Sequence, residues 1–206
     1  FAATGEGITA FLVDAPAKGL ILKPMAKMMG CVGPRHYNVI YENLSVPASN
    51  ILGEKGKGLD VAFGMLHLSR VSIAFCCIGL AQKMLELAID YAKKRATFGK
   101  LIATRQAVQN NLAQMATEIQ AARLLAYEAA WKFDQGQAIV KEAAMAKMFA
   151  EQVVTRVSEL ALRIHGGVGY TKAYSLERHF RDVRSFHFEE GTEEIQKLLI
   201  ARHLLK

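Results

Sequence analysis

From about residue 58 onward, apolar residues recur every three or four positions almost to the end of the chain, which is the period of helices that bury one face. Leu59, Ala62, Phe63, Leu66, Ile73, Leu80, Met84, Leu87 and Tyr91 trace one stripe and predict a long helix from about 59 to 94. Val108, Leu112, Met115, Ile119, Ala122, Ala126, Ala129 and Phe133 predict a second, stopped by the turn signal Asp134-Gln-Gly136. A third runs from Val140 to Ile164 and ends at Gly166-Gly167. A short helix is expected at about 175 to 184. The last begins after Thr192, a good N-cap residue, with Glu193 and Glu194 placed to favour the positive end of the helix dipole.

Residues 1 to 52 read differently. They hold all four prolines and short β-type runs such as Thr9-Ala-Phe-Leu-Val13 and Tyr37-Asn-Val-Ile-Tyr41. The glycine-studded Gly53-Glu-Lys-Gly-Lys-Gly58 reads as a hinge between the two regimes. The fold class expected is therefore mainly α, an antiparallel four-helix bundle over 53–206 preceded by part of a β domain over 1–52. The chain begins at Phe1 with a turn-then-strand look, so a preceding portion is expected to belong to the same fold.

Composition narrows the chemistry. The longest uncharged apolar run, Val71 to Ala81, is well short of the ~20 residues that cross a bilayer, so no membrane span is expected. Three cysteines, without C-x-x-C spacing or an even count, predict no disulfide framework, and adjacent Cys76 and Cys77 read as small core side chains. The formal charge of +7 would suit a polyanion, but Lys and Arg alternate with Asp and Glu along helical faces rather than forming a block. That argues for solvated helix faces and a phosphorylated small ligand over nucleic acid. The six histidines show no metal-ligand spacing, and no nucleophile triad is visible. Gly166-Gly-Val-Gly169 follows a helix rather than a strand and so lacks the setting of a dinucleotide fingerprint.

Four segments carry a resemblance. These are Arg163-Ile-His-Gly-Gly-Val-Gly-Tyr170, Phe188-Glu-Glu-Gly-Thr-Glu-Glu-Ile-Gln196, Arg95-Ala-Thr-Phe-Gly-Lys100 with Gln106, and the stretch from Lys27-Met28 to Leu52-Gly53. In order and spacing they resemble the acyl-CoA dehydrogenase family, whose members carry Q-x-x-G-G-x-G, then E-G-T-x-x-[IV]-Q about twenty residues later. The resemblance implies a middle β domain and a C-terminal four-helix bundle, FAD as cofactor, and α,β-dehydrogenation of an acyl-CoA to trans-2-enoyl-CoA. It makes Glu190, immediately before Gly-Thr, the base that removes the α-proton. Some members place the base on the first bundle helix before an arginine, where this chain has Ser69-Arg70, and a serine there is no base.

By the same resemblance His67, Leu68, Ser69, Arg70, Gly191 and Arg202 meet the substrate. Arg95, Thr97, Phe98 and Gln106, the loop of Arg163, Ile164, His165, Gly166 and Gly167, and Thr192 with Glu194 hold FAD, much of it across a subunit interface. A homotetramer built as a dimer of dimers, an electron-transfer flavoprotein as acceptor, and a bacterial cytoplasmic or mitochondrial matrix setting are implied as well. An oxidase or monooxygenase on the same scaffold, or a DNA-associated flavoprotein, is the alternative. Three departures stand out: Arg163 where the family usually has Gln, Glu189 where it has an aromatic, and Gly30-Cys-Val-Gly-Pro34 in place of G-x-R-x-S.

Overall fold

The computed structural model describes residues 1–206. The chain divides into two compact units, Phe1–Leu66 and His67–Lys206.

In the first unit, β1 (Ala2–Thr4) and β2 (Gly7–Phe11) form an antiparallel hairpin in the register Ala2↔Thr9, and β2 pairs on its other edge with β5 (Ile51–Leu52). A separate ribbon joins β3 (Leu20–Pro24) to β4 (Tyr37–Tyr41), with Ile21 opposite Ile40. The glycine-rich segment packs closely against the first hairpin, with Gly56 near the Glu6 carbonyl and Gly58 near Ala10. A Cβ at Gly58 would lie 2.6 Å from the backbone nitrogen of Ala10, so this close approach of two backbone segments admits only glycine.

Helix α1 (Gly58–Ala92) starts there and continues into the second unit, followed by a small hairpin of β6 (Ala96–Thr97) and β7 (Lys100–Leu101). Then come α2 (Gln106–Asp134), α3 (Val140–His165), α4 (Leu176–Asp182) and α5 (Glu193–Leu204). The long helices form the expected antiparallel bundle. Its core is unusually rich in small residues: Ala122, Ala126 and Ala129 of α2 and Ala143, Ala146, Ala150 and Ala161 of α3 are buried. Small side chains let helix backbones approach closely, while Met84, Met115 and Ile119 fill the remaining space.

Two expectations need correcting. By length and composition α1 is apolar enough to cross a membrane, which the short uncharged run did not suggest. Val71, Ala74, Cys77, Ile78, Ala81, Met84, Leu85 and Ala88 belong to the bundle core, and 33% of the apolar stretch is buried within the chain. Only Cys77 is a core cysteine; Cys76 is exposed, because neighbours on a helix point about 100° apart. Burial, and then the nearby Glu151, pushes the Cys77 thiol well above the ordinary range, so it stays protonated and unreactive.

Candidate functional site

The candidate base sits on the turn between α4 and α5. Glu190 has φ of 54°, a left-handed backbone that costs a non-glycine residue about 1–3 kcal/mol. Gly191 follows at φ 96°, where a Cβ would come within 3.2 Å of Gln196 Nε2 and Ile195 Cγ2. Three side chains hold this turn through its carbonyls. Arg70 Nε donates to the Glu190 carbonyl at 3.1 Å, Lys147 Nζ donates to the Gly191 carbonyl at 2.9 Å, and Gln196 Nε2 reaches both, at 3.1 and 3.0 Å. Hydrogen bonds from charged donors are worth about 1.5–3 kcal/mol each, so the clamp offsets the strain it imposes. The backbone is fixed while the Glu190 side chain remains half-buried and accessible.

Each holder is itself held. Arg70 is buried, and its terminal nitrogen lies 3.1 Å from His67 Nδ1. Desolvation pulls Arg70 below its ordinary pKa, partly countered by the charge of Glu190. Desolvation and the Arg70 charge pull His67 down, so its neutral ring accepts from the guanidinium. Arg70 therefore turns inward onto the base's own backbone. Leu68 is exposed, Ser69 half-buried, and Arg202 exposed near the end of α5, away from these contacts. Thr192 occupies the N-cap position without capping; its hydroxyl bonds Glu194 instead and, together with the helix backbone, holds that carboxyl low.

A second group gathers elsewhere in the bundle. Arg95, Thr97, Ile164, His165, Gly166 and Gly167 line one cleft of about 480 Å³ between the end of α1, the β6–β7 hairpin and the end of α3. Gly166 closes α3 with φ of 62°. His165 is stacked on Tyr91 with ring centroids 4.3 Å apart. Its Nδ1 bonds the Ala161 carbonyl at 2.9 Å, and burial lowers its pKa, which leaves Nε2 a lone-pair acceptor without a partner. Phe98 caps the hairpin with φ of 50° and 97% of its surface exposed, a strained conformation for an aromatic residue. Gln106 begins α2 and Arg163 is exposed, and neither lines the cleft.

Sequence reasoning missed four members. Arg105 pins the hairpin by donating to the Thr97 carbonyl at 2.6 Å and to its hydroxyl at 2.8 Å. Gln196, Lys147 and Glu151 form the floor of the Glu190 turn. For Gln196 the signal was present in the motif ending Ile195-Gln196; for Lys147 and Glu151 only an ordinary i,i+4 charge spacing was visible, and for Arg105 there was none.

A helical bundle that carries one half-buried carboxylate on a strained turn and, elsewhere, a glycine-lined cleft with a cation on its lining is a scaffold suited to hold an anionic cofactor. The profile described as acyl-CoA dehydrogenase, C-terminal domain, matches residues 56–205. The chain belongs to the acyl-CoA dehydrogenase family, whose members are FAD-dependent oxidoreductases. It is 43% identical over 201 residues to the 3-(aryl)acrylate reductase of Clostridium sporogenes, covering 98% of this chain and 53% of the relative. It is 42% identical to the human mitochondrial short-chain specific acyl-CoA dehydrogenase, covering 98% and 49%. Butyryl-CoA dehydrogenase from Megasphaera elsdenii superposes with a TM-score of 0.95 at 35% identity, covering all of this chain and 54% of that one. The chain thus spans about half the length of the relatives it matches.

The cleft suits the family's cofactor on its own evidence. It offers an exposed cation at Arg95 for a pyrophosphate, bare backbone at Gly166-Gly167, and a buried acceptor at His165 Nε2 without a donor.

Proposed function

We propose that the protein oxidises an acyl-CoA thioester to its trans-2-enoyl-CoA, with Glu190 as the base that takes the α-proton. The observation that carries this reading is the clamped, left-handed turn, which aims one accessible carboxylate while fixing its backbone from Arg70, Lys147 and Gln196. FAD, when bound, would supply the acceptor at N5 for the hydride that leaves the β-carbon. The products balance: the α-hydrogen goes to the Glu190 carboxylate as a proton, the β-hydrogen leaves with its electron pair, and a C=C bond forms between the two carbons. Ser69 supports the assignment, since no second carboxylate stands before Arg70 to compete.

In this reading Arg95, Thr97, Phe98 and Gln106, the 163–167 loop, Thr192 and Glu194 hold FAD. His67, Leu68, Ser69, Gly191 and Arg202 line the acyl-CoA path, and Arg70 serves it by steadying the base. Leu124, Tyr127 and Trp131 form an exposed i, i+3, i+7 stripe on α2, which supports assembly into a homo-oligomer, a dimer of dimers in the family's pattern. An electron-transfer flavoprotein as acceptor is supported by a relative at 42% identity named as the CarC subunit of the caffeyl-CoA reductase–Etf complex of Acetobacterium woodii. Matches to mitochondrial and bacterial proteins support a matrix or bacterial cytoplasmic setting.

Two relatives are named as reductases, which favours a second reading in which the same groups run backwards. Protonated Glu190 would then deliver its proton to the α-carbon of an unsaturated substrate. The position of equilibrium, not the residues, separates the two.

Anaerobic mixing of the full-length, FAD-loaded protein with acyl-CoA tests the core claim. Glu190→Gln, nearly isosteric without the carboxylate, should slow bleaching of the flavin absorbance by roughly a thousandfold or more. Glu189→Gln should cost little, because the neighbouring side chain is exposed to solvent where that of Glu190 is half-buried. Wild-type bleaching in Glu190→Gln contradicts the assignment, and a loss confined to Glu189→Gln moves the role to its neighbour. Reoxidation in air then separates a dehydrogenase from an oxidase.

A further inference from the structure

We infer that Lys147 is a positioning residue for the base, held in register by Glu151 and His187. The inference rests on Glu190 being that base. Lys147, Glu151 and Thr155 lie at i, i+4 and i+8 on α3, one polar stripe on an otherwise apolar face directed at the 187–191 turn. Lys147 is fully buried and Glu151 almost so. The Lys147 Nζ lies 2.5 Å from Glu151 Oε2 and donates at 2.9 Å to the carbonyl of Gly191. The second Glu151 oxygen meets His187 Nδ1, and His187 Nε2 lies 3.1 Å from Thr155 Oγ1. The His187 ring thus bridges the stripe, its Nδ1 set against the Glu151 carboxylate and its Nε2 within hydrogen-bond reach of the threonine hydroxyl.

The chain of contacts therefore grips the turn at both ends, His187 at its entrance and Gly191 at its exit. A buried ion pair is a poor way to add stability, since apolar residues of similar volume do as well or better. What this pair adds is direction. Glu190 is held at φ 54° only while its neighbours are fixed, and release of the Gly191 carbonyl lets the turn relax toward negative φ. That rotation swings the Cα–Cβ bond of Glu190 and carries the carboxylate away from its line of attack. Displacements of about 1 Å at a reacting group can cost on the order of a hundredfold in rate.

The test is the paired variant Lys147→Met/Glu151→Leu in the full-length holoprotein, which keeps the core filled and strands no charge. The acyl-CoA used is the member of a chain-length panel that bleaches the wild-type flavin fastest. The expected result is a melting temperature and FAD content near wild type, bleaching at saturating acyl-CoA slower by roughly 10- to 100-fold, and a half-saturating concentration changed less than about twofold. A merely structural role would lower FAD content or melting temperature and leave the rate per bound flavin unchanged, and that outcome overturns the inference. Should the paired variant not fold, His187→Ala, a partly exposed site, should slow bleaching a few-fold at unchanged half-saturation; a wild-type rate there overturns it equally. Glu190→Gln run alongside separates the two levels. If that variant is slow while the paired variant matches wild type, the positioning role alone falls; if Glu190→Gln bleaches normally, the base assignment falls and takes this inference with it.

Discussion

The turn that carries Glu190 and the cleft lined by Arg95 and His165 are built on opposite terms. In the turn the chain's own side chains bind the backbone: the carbonyls of Glu190 and Gly191 are both hydrogen-bonded, and the buried lysine that bonds one of them is ion-paired with its own glutamate, although Glu151 Oε1 and Gln196 Oε1 have no hydrogen-bond partner. In the cleft the chain leaves a cation and bare glycine backbone along space that its own side chains do not fill, with the unpartnered His165 Nε2 buried in the wall. A group that must act at a fixed point is preorganised by the fold, whereas a group that must receive a ligand keeps its bonding capacity in reserve. Mutations in the two regions should therefore fail differently, the first in rate per bound flavin and the second in how much flavin is bound.

The widest separation is expected at Gly191. Gly191→Ala places a Cβ against Gln196 and Ile195 at φ 96°, so bleaching should fall on the order of a hundredfold while FAD affinity changes little. Flavin loss equal to the rate loss, measured by absorbance after gel filtration, would erase the distinction.

Arg95→Ala should do the reverse, weakening FAD binding by roughly tenfold through loss of a charge-assisted bond, with near-normal bleaching once flavin saturates. Added FAD should then raise the melting temperature less than it does in wild type, because a ligand stabilises in proportion to its affinity for the folded form. A calorimetric titration showing wild-type affinity would remove Arg95 from the cofactor site.

The smallest expected effect is in pH. His67, His165 and His179 are all held below the ordinary histidine value of 6.5, chiefly by burial. The unfolded chain therefore binds more protons than the folded one just below that value, and stability rises with pH across the window. The melting temperature should be flat above about pH 7 and fall by a few degrees as pH drops through 6.5 toward 5. Saturating FAD should carry the fall to lower pH if a cofactor donor engages His165 Nε2, because that bond stabilises the neutral ring and holds its folded pKa lower still. An unchanged acid slope with FAD bound would place that acceptor outside the site.

The helices and the motifs around Glu190 and Gly166 were legible because period and spacing express them directly. Burial and backbone strain were not. Lys147 and Glu151 have the i,i+4 spacing of countless surface ion pairs, and only the packing of α3 against α5 shows that they lie inside. Arg70 reads as a residue that reaches for a ligand, yet it points at the backbone of the base. Nothing in one sequence announces a positive φ at Phe98 or Glu190, since neither residue favours it; the surrounding contacts impose it. Adjacent Cys76 and Cys77 share a composition and differ only in the face they occupy.

The central claim is that Glu190 moves the α-proton, and exchange of the substrate's α-hydrogen with solvent measures that step apart from everything that follows. The full-length, FAD-loaded protein is incubated anaerobically with acyl-CoA in D2O, and deuterium at the α-carbon is followed by mass spectrometry. The account predicts rapid incorporation in wild type and in Glu189→Gln, and incorporation at the uncatalysed background in Glu190→Gln. Wild-type incorporation in Glu190→Gln would contradict it.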